Sequence, residues 1–74
     1  MITKEEFTIM QQLYSIDKNL VDALIDVLPY FEYVVFSHAI REGYDTYVNL
    51  PNPDKEMVET TYKIVIEALK GVKS

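Results

Sequence analysis

The chain has 74 residues, 49% hydrophobic and 26% charged, with two Gly, three Pro and no Cys. That length holds one small domain spanning 1–74, and the composition excludes a disordered or low-complexity chain, a disulfide framework, a thiolate nucleophile and a Cys-type zinc site. Twelve acidic against seven basic residues give a net charge of −5 and a pI near 4.6, a field that repels nucleic acid and anionic lipid.

The longest uninterrupted apolar run is four residues, Tyr33 to Phe36, against the roughly 20 that a membrane helix needs. The opening stretch, Met1 to Glu6, is polar and acidic, unlike a signal or transit peptide. The expectation is a soluble, cytoplasmic protein.

Thr3 and Glu6 have the spacing of a capping box, and Ile2 and Phe7 flank that cap as a hydrophobic staple. A first helix from about Lys4 to Tyr14 then places Phe7, Met10 and Tyr14 on one face, with Leu13 beside it. Ser15-Ile16-Asp17 is a polar break, and Asp17 is a good N-cap for a second helix. Ile16 and Val21 repeat the staple spacing. Leu20, Val21, Leu24, Val27 and Leu28 form its apolar stripe, while Lys18, Asp22 and Asp26 read as a solvated face. Pro29 ends or kinks this helix.

Tyr30 to Glu42 supports two readings. Pro29 suits the start of a third helix and Gly43 a left-handed C-cap. Against this, Tyr33-Val34-Val35-Phe36 is rich in strand-forming residues and Tyr44 to Leu50 alternates, which together describe a hairpin. Segment length, the glycine stop and the helical neighbours favour helix. Asn49 to Asp54 is a turn, with Asn52 or Asp54 as cap and Pro53 early in a last helix that runs from about Pro53 to Lys70 before Gly71 stops it. Val58, Tyr62, Val65, Leu69 and Val72 form its stripe, and Glu59 and Lys63 face outward at the favourable i, i+4 spacing. The predicted fold is an all-α bundle of three to four short helices, with an α+β chain containing a hairpin around Tyr33–Leu50 as the alternative. Its core is Phe7, Met10, Leu13, Leu20, Leu24, Leu28, Val58, Val65 and Leu69.

The third segment is apolar around nearly its whole circumference, and such a helix needs cover on every side. A second copy of the chain supplies that cover. The expected homodimer interface draws on Tyr33, Phe36, Ile40, Tyr62 and Ile66. The other solution makes the third segment the central core helix of a monomer.

Catalytic patterns do not assemble. His38 has Arg41 at i+3, as in helical phosphotransfer domains, but Glu42 occupies i+4, where those domains carry Gly. Ser15 lacks the preceding Asp and long loop that carry the prosthetic-group serine of acyl carrier proteins. Ser37 and His38, adjacent on a helix, point apart, and Glu42, Asp45 and Asp54 lack calcium-loop spacing. No enzyme, metal or cofactor is expected. The reading is a small acidic protein–protein interaction module, a self-associating regulator, adaptor or inhibitor whose partner carries a basic surface. The alternative is a helix-turn-helix or winged-helix transcriptional regulator, although the second helix offers only Lys18 and Asn19 for base edges before Asp22 and Asp26 meet phosphate.

Overall fold

The computed structural model describes residues 1–73, with side chains described through Lys70. Five helices follow in order: α1 (Lys4–Ile16), α2 (Lys18–Ile25), α3 (Tyr30–Glu42), α4 (Tyr44–Val48) and α5 (Asn52–Lys73). No strand occurs among the described residues, so the hairpin reading of Tyr33–Leu50 is set aside. That segment is the body of α3, a sharp corner, and a five-residue helix too short to show periodicity in the sequence. The all-α bundle thus has five helices among the described residues, where three to four are expected from the sequence.

The capping box closes as the sequence predicts. Thr3 Oγ1 accepts from Glu6 N at 3.1 Å, and Glu6 Oε1 accepts from Thr3 N at 3.0 Å. These contacts hold the Glu6 carboxyl below its ordinary value. Ile2 and Phe7, the two halves of the staple, both end in the core. The second expected staple does not form: Asp17 Oδ1 caps Leu20 N at 3.1 Å, but Ile16 is 83% exposed.

α2 is turned differently from its expected stripe. Val21 and Ile25 are its buried residues; Leu20 and Leu24 are half-buried, and Asp22, placed on the solvated face by the sequence, is half-buried too. The helix ends at Ile25, where a turn from Leu28 N to Ile25 O at 2.8 Å breaks the periodicity. Val27 consequently points outward at 79% exposure while Leu28 packs on the core.

Gly43 joins α3 to α4 with φ 114 and ψ 174, a region essentially closed to other residues. It has the positive φ expected of a glycine stop but not the left-handed cap geometry, and its extended ψ sends the chain directly into α4. At the far end α5 passes through Gly71 to Lys73, rather than stopping there; the expected stripe residue Val72 lies outside the described side chains.

α3 is the central helix, packing on α1, α4 and α5. Phe36, Ala39 and Ile40 face inward to meet Phe7, Met10, Tyr47, Val58 and Val65. Tyr47 has no exposed surface, yet its hydroxyl is fully used: it accepts from Ile2 N at 3.0 Å and donates to Glu59 Oε2 at 2.6 Å. Its ring stacks on Phe7 at 5.5 Å, and Tyr44 meets the same Phe7 edge-on at 5.5 Å. Each aromatic pair adds about 0.5–1.5 kcal/mol beyond area burial. Glu59 thus turns to Tyr47 and not to Lys63. Thr61 is the exception to this economy: it is 1% exposed and its hydroxyl has no partner.

Two predictions follow from the packing. Ile25→Ala should cost about 2–5 kcal/mol and Leu24→Ala clearly less, an order that urea melts of the two variants will check. Burial, then the hydrogen bond to Glu59, pushes the Tyr47 phenol up from 10.0 to about 12. The folded state therefore holds this proton more tightly than the unfolded chain does. The resulting stabilisation is whole below pH 10 and is lost as pH rises to about 12. Alkaline melts should show that fall, and Tyr47→Phe should flatten it while costing about 1–3 kcal/mol at neutral pH through the orphaned Ile2 N–H.

Candidate interaction surface

The five residues expected at an interface do not share a face. Phe36 and Ile40 are 0% and 4% exposed and belong to the core. Phe36 cannot meet a second copy in the folded chain, because the other helices cover it, and Ile40 keeps only a small surface on the wall of a concavity between α1 and α3. Tyr62 and Ile66 are half-buried on α5. Ile66 lines a groove of about 230 Å³ with Ile9, Leu13, Leu69 and Lys70, and Tyr62 lies near Glu6, where burial and then that carboxylate raise its phenol above 10.0. Tyr33 stands apart from both, at the junction of α1, α2 and α3.

That junction is a hydroxyl cluster. Tyr33 and Tyr14 donate to Asp22 Oδ1 at 3.3 and 3.4 Å, and the Tyr14 hydroxyl lies 2.9 Å from Ser37 Oγ. The neighbouring Tyr14 hydroxyl, then burial, keep the Tyr33 phenol above 10.0. Asp22 is thereby committed to holding α2 against α1 and α3. Ser37 bonds to Tyr14 while His38 faces solvent, so the two do not form a nucleophile and base. Among the described residues no three His, Asp or Glu side chains converge as a metal site, and no helix is long and apolar enough to cross a membrane.

Apolar surface missing from the expected list gathers at the α2–α3 corner. Val27, Tyr30, Phe31 and Val34 are 79%, 82%, 62% and 41% exposed. Pro29 sets this corner: with φ −55 and ψ 142 it starts α3 without a side-chain cap, and leaves Tyr30 and Phe31 in its first turn. Phe31 and Val34, and Tyr30 and Val34, are one helical turn apart. Beside them a concavity of about 440 Å³ is lined by Asp22, Ile25, Asp26, Leu28, Tyr30 and Tyr33. The sequence signal for this surface was the unbroken apolar circumference of Tyr30–Ile40. It could not say which part the other helices would cover, and they cover the C-terminal half.

No family model, curated protein or solved structure matches the chain.

Core and corner residues should separate cleanly on substitution. Phe36→Asp buries an unpaired charge and should unfold the chain, whereas Phe31→Asp should change its stability by no more than about 0.5 kcal/mol. Circular dichroism melts of the two variants decide it.

Proposed function

We propose that the chain is a small, non-enzymatic protein–protein interaction module, a regulator, adaptor or inhibitor that docks through the α2–α3 corner. The observation that carries this reading is the exposure of Val27, Tyr30, Phe31 and Val34 on a chain whose core is already filled by other side chains. A cluster of large apolar groups left outside a complete core is the ordinary mark of a binding surface, and Tyr and Phe are the residue types that interface centres favour.

Charge selects the partner. Asp22 and Asp26 line the adjoining concavity, Glu32 stands in the first turn of α3, and the whole chain carries −5. An apolar surface bordered by Lys or Arg complements this corner. Self-association is the competing occupant. A homodimer formed here would bring Asp26 and Glu32 of one copy towards the same acidic corner of the other, a like-charge arrangement that works against a two-fold pair. A homodimer drawing on Tyr33, Phe36, Ile40, Tyr62 and Ile66 would also have to do without Phe36, which has no exposed surface.

Affinity capture from the native host, run in parallel with the unaltered chain and Phe31→Asp, tests the reading. The expected result is a protein partner retained by the unaltered chain, lost with Phe31→Asp, and released as salt is raised. Equal capture by both proteins would remove the corner from the interface. Sedimentation supplies the other arm: a single 8.6 kDa species is expected at high micromolar concentration, and a dimer abolished by Phe31→Asp would assign the corner to a second copy.

A further inference from the structure

The acidic corner has a counterpart of opposite character on the other side of Tyr33. Two adjoining concavities between α1 and α3, of about 200 and 410 Å³, share Tyr14, Lys18 and Arg41 as walls. No carboxylate lines either one, although acidic residues outnumber basic ones twelve to seven in the chain. Arg41, the only arginine, and Lys18 have no ion-pair partner among the described residues. Val34 walls the smaller concavity and Ile40 the larger.

The hydroxyls complete a donor surface. Ser37 is 7% exposed, lines the smaller concavity and lies 2.9 Å from the Tyr14 hydroxyl, with either oxygen able to donate. The Tyr14 hydroxyl has one proton, and while it goes to Asp22 the Ser37 hydroxyl can donate to Tyr14. When Tyr14 instead donates to Ser37, the Ser37 proton is released to an incoming acceptor, while Asp22 keeps its bond from Tyr33. The guanidinium of Arg41 offers the paired N–H geometry that a carboxylate or phosphate accepts.

We propose that this α1–α3 groove binds a small organic oxyanion, a carboxylate or a phosphate monoester, with its head on Lys18, Arg41 and the Tyr14–Ser37 hydroxyls and its body against Val34 and Ile40. The inference does not rest on the α2–α3 docking corner, although Val34 borders both surfaces.

The test is a titration of the full, nitrogen-15-labelled chain followed by amide chemical shifts. The probes are benzoate and phenyl phosphate, with acetate and inorganic phosphate as bare head groups, in about 0.15 M salt so that charges beyond roughly 8 Å are screened. Saturable shifts centred on Tyr14, Lys18, Ser37 and Arg41 are expected, with the ring-bearing probes binding more tightly than the bare heads. The head group that saturates at lower concentration assigns the class. Arg41→Gln should weaken binding about tenfold or more, the scale of a lost charge-assisted contact. Lys63→Gln, the same charge change on the exposed face of α5, should alter it less than about twofold if the site is local. Both side chains are exposed, and circular dichroism confirms that each variant is folded. Absence of saturation by about 20 mM with every probe overturns the inference. Equal weakening by Arg41→Gln and Lys63→Gln overturns it as well, since that result describes diffuse attraction.

Discussion

The hydroxyl of Tyr47 gathers three parts of the chain at one buried point: the backbone of Ile2, the carboxylate of Glu59 on α5, and α4 itself. Around it the rings of Phe7, Tyr44 and Tyr47 form a triangle, with centroids 5.5, 5.5 and 5.7 Å apart. A buried phenol is costly unless its oxygen is satisfied, and here one oxygen both accepts and donates. The short α4 has no stability of its own at five residues. It stands because Tyr47 is anchored on two sides, and with it stands the floor on which the C-terminal half of α3 rests.

With that half of α3 enclosed, the remaining apolar surface has only one end of the helix on which to appear. The same helix therefore has two characters. Towards its C-terminus Phe36, Ala39 and Ile40 are interior residues; towards its N-terminus Tyr30, Phe31 and Val34 remain outside. Tyr33 marks the boundary between two differently charged surfaces, lining both the acidic concavity beside α2 and the smaller concavity that holds Lys18 and Arg41. On a chain of net charge −5, an acidic and a basic concavity thus lie on either side of one tyrosine.

Where local chemistry decides structure, the sequence was legible. The Thr3–Glu6 box, the Asp17 cap, the start of α3 at Pro29 and the stop at Gly43 each follow from one or two side chains acting on nearby backbone. Phe7, Met10, Val58 and Val65 were recognisable core residues because long helices display their period. α2 was misread for a physical reason: it ends at Ile25, so Val27 and Leu28 obey a turn and not a helix, and a stripe drawn through them rotates the face away from Val21 and Ile25. Tyr47 gave no signal, since its burial depends on Ile2 and Glu59 arriving from distant parts of the chain. The candidate interface was half visible. The apolar excess of the third segment could be counted, but Phe36 and Ile40 could not be told from Phe31 and Val34 without knowing where α4 and α5 lie.

The contact between Ile2 and Tyr47 also has a meaning in time. It joins residues 45 apart in sequence, and Tyr44 Oη donates to Ile2 O across 42. Bringing those ends together costs loop entropy that local helix contacts do not incur, and it is recovered only when α4 already presents its two tyrosines. Docking of the N-terminal turn and burial of Tyr47 therefore depend on each other. Two hydrogen bonds and one buried isoleucine hold that turn, so any opening of it strips Tyr47 of an anchor and loosens α4 with it.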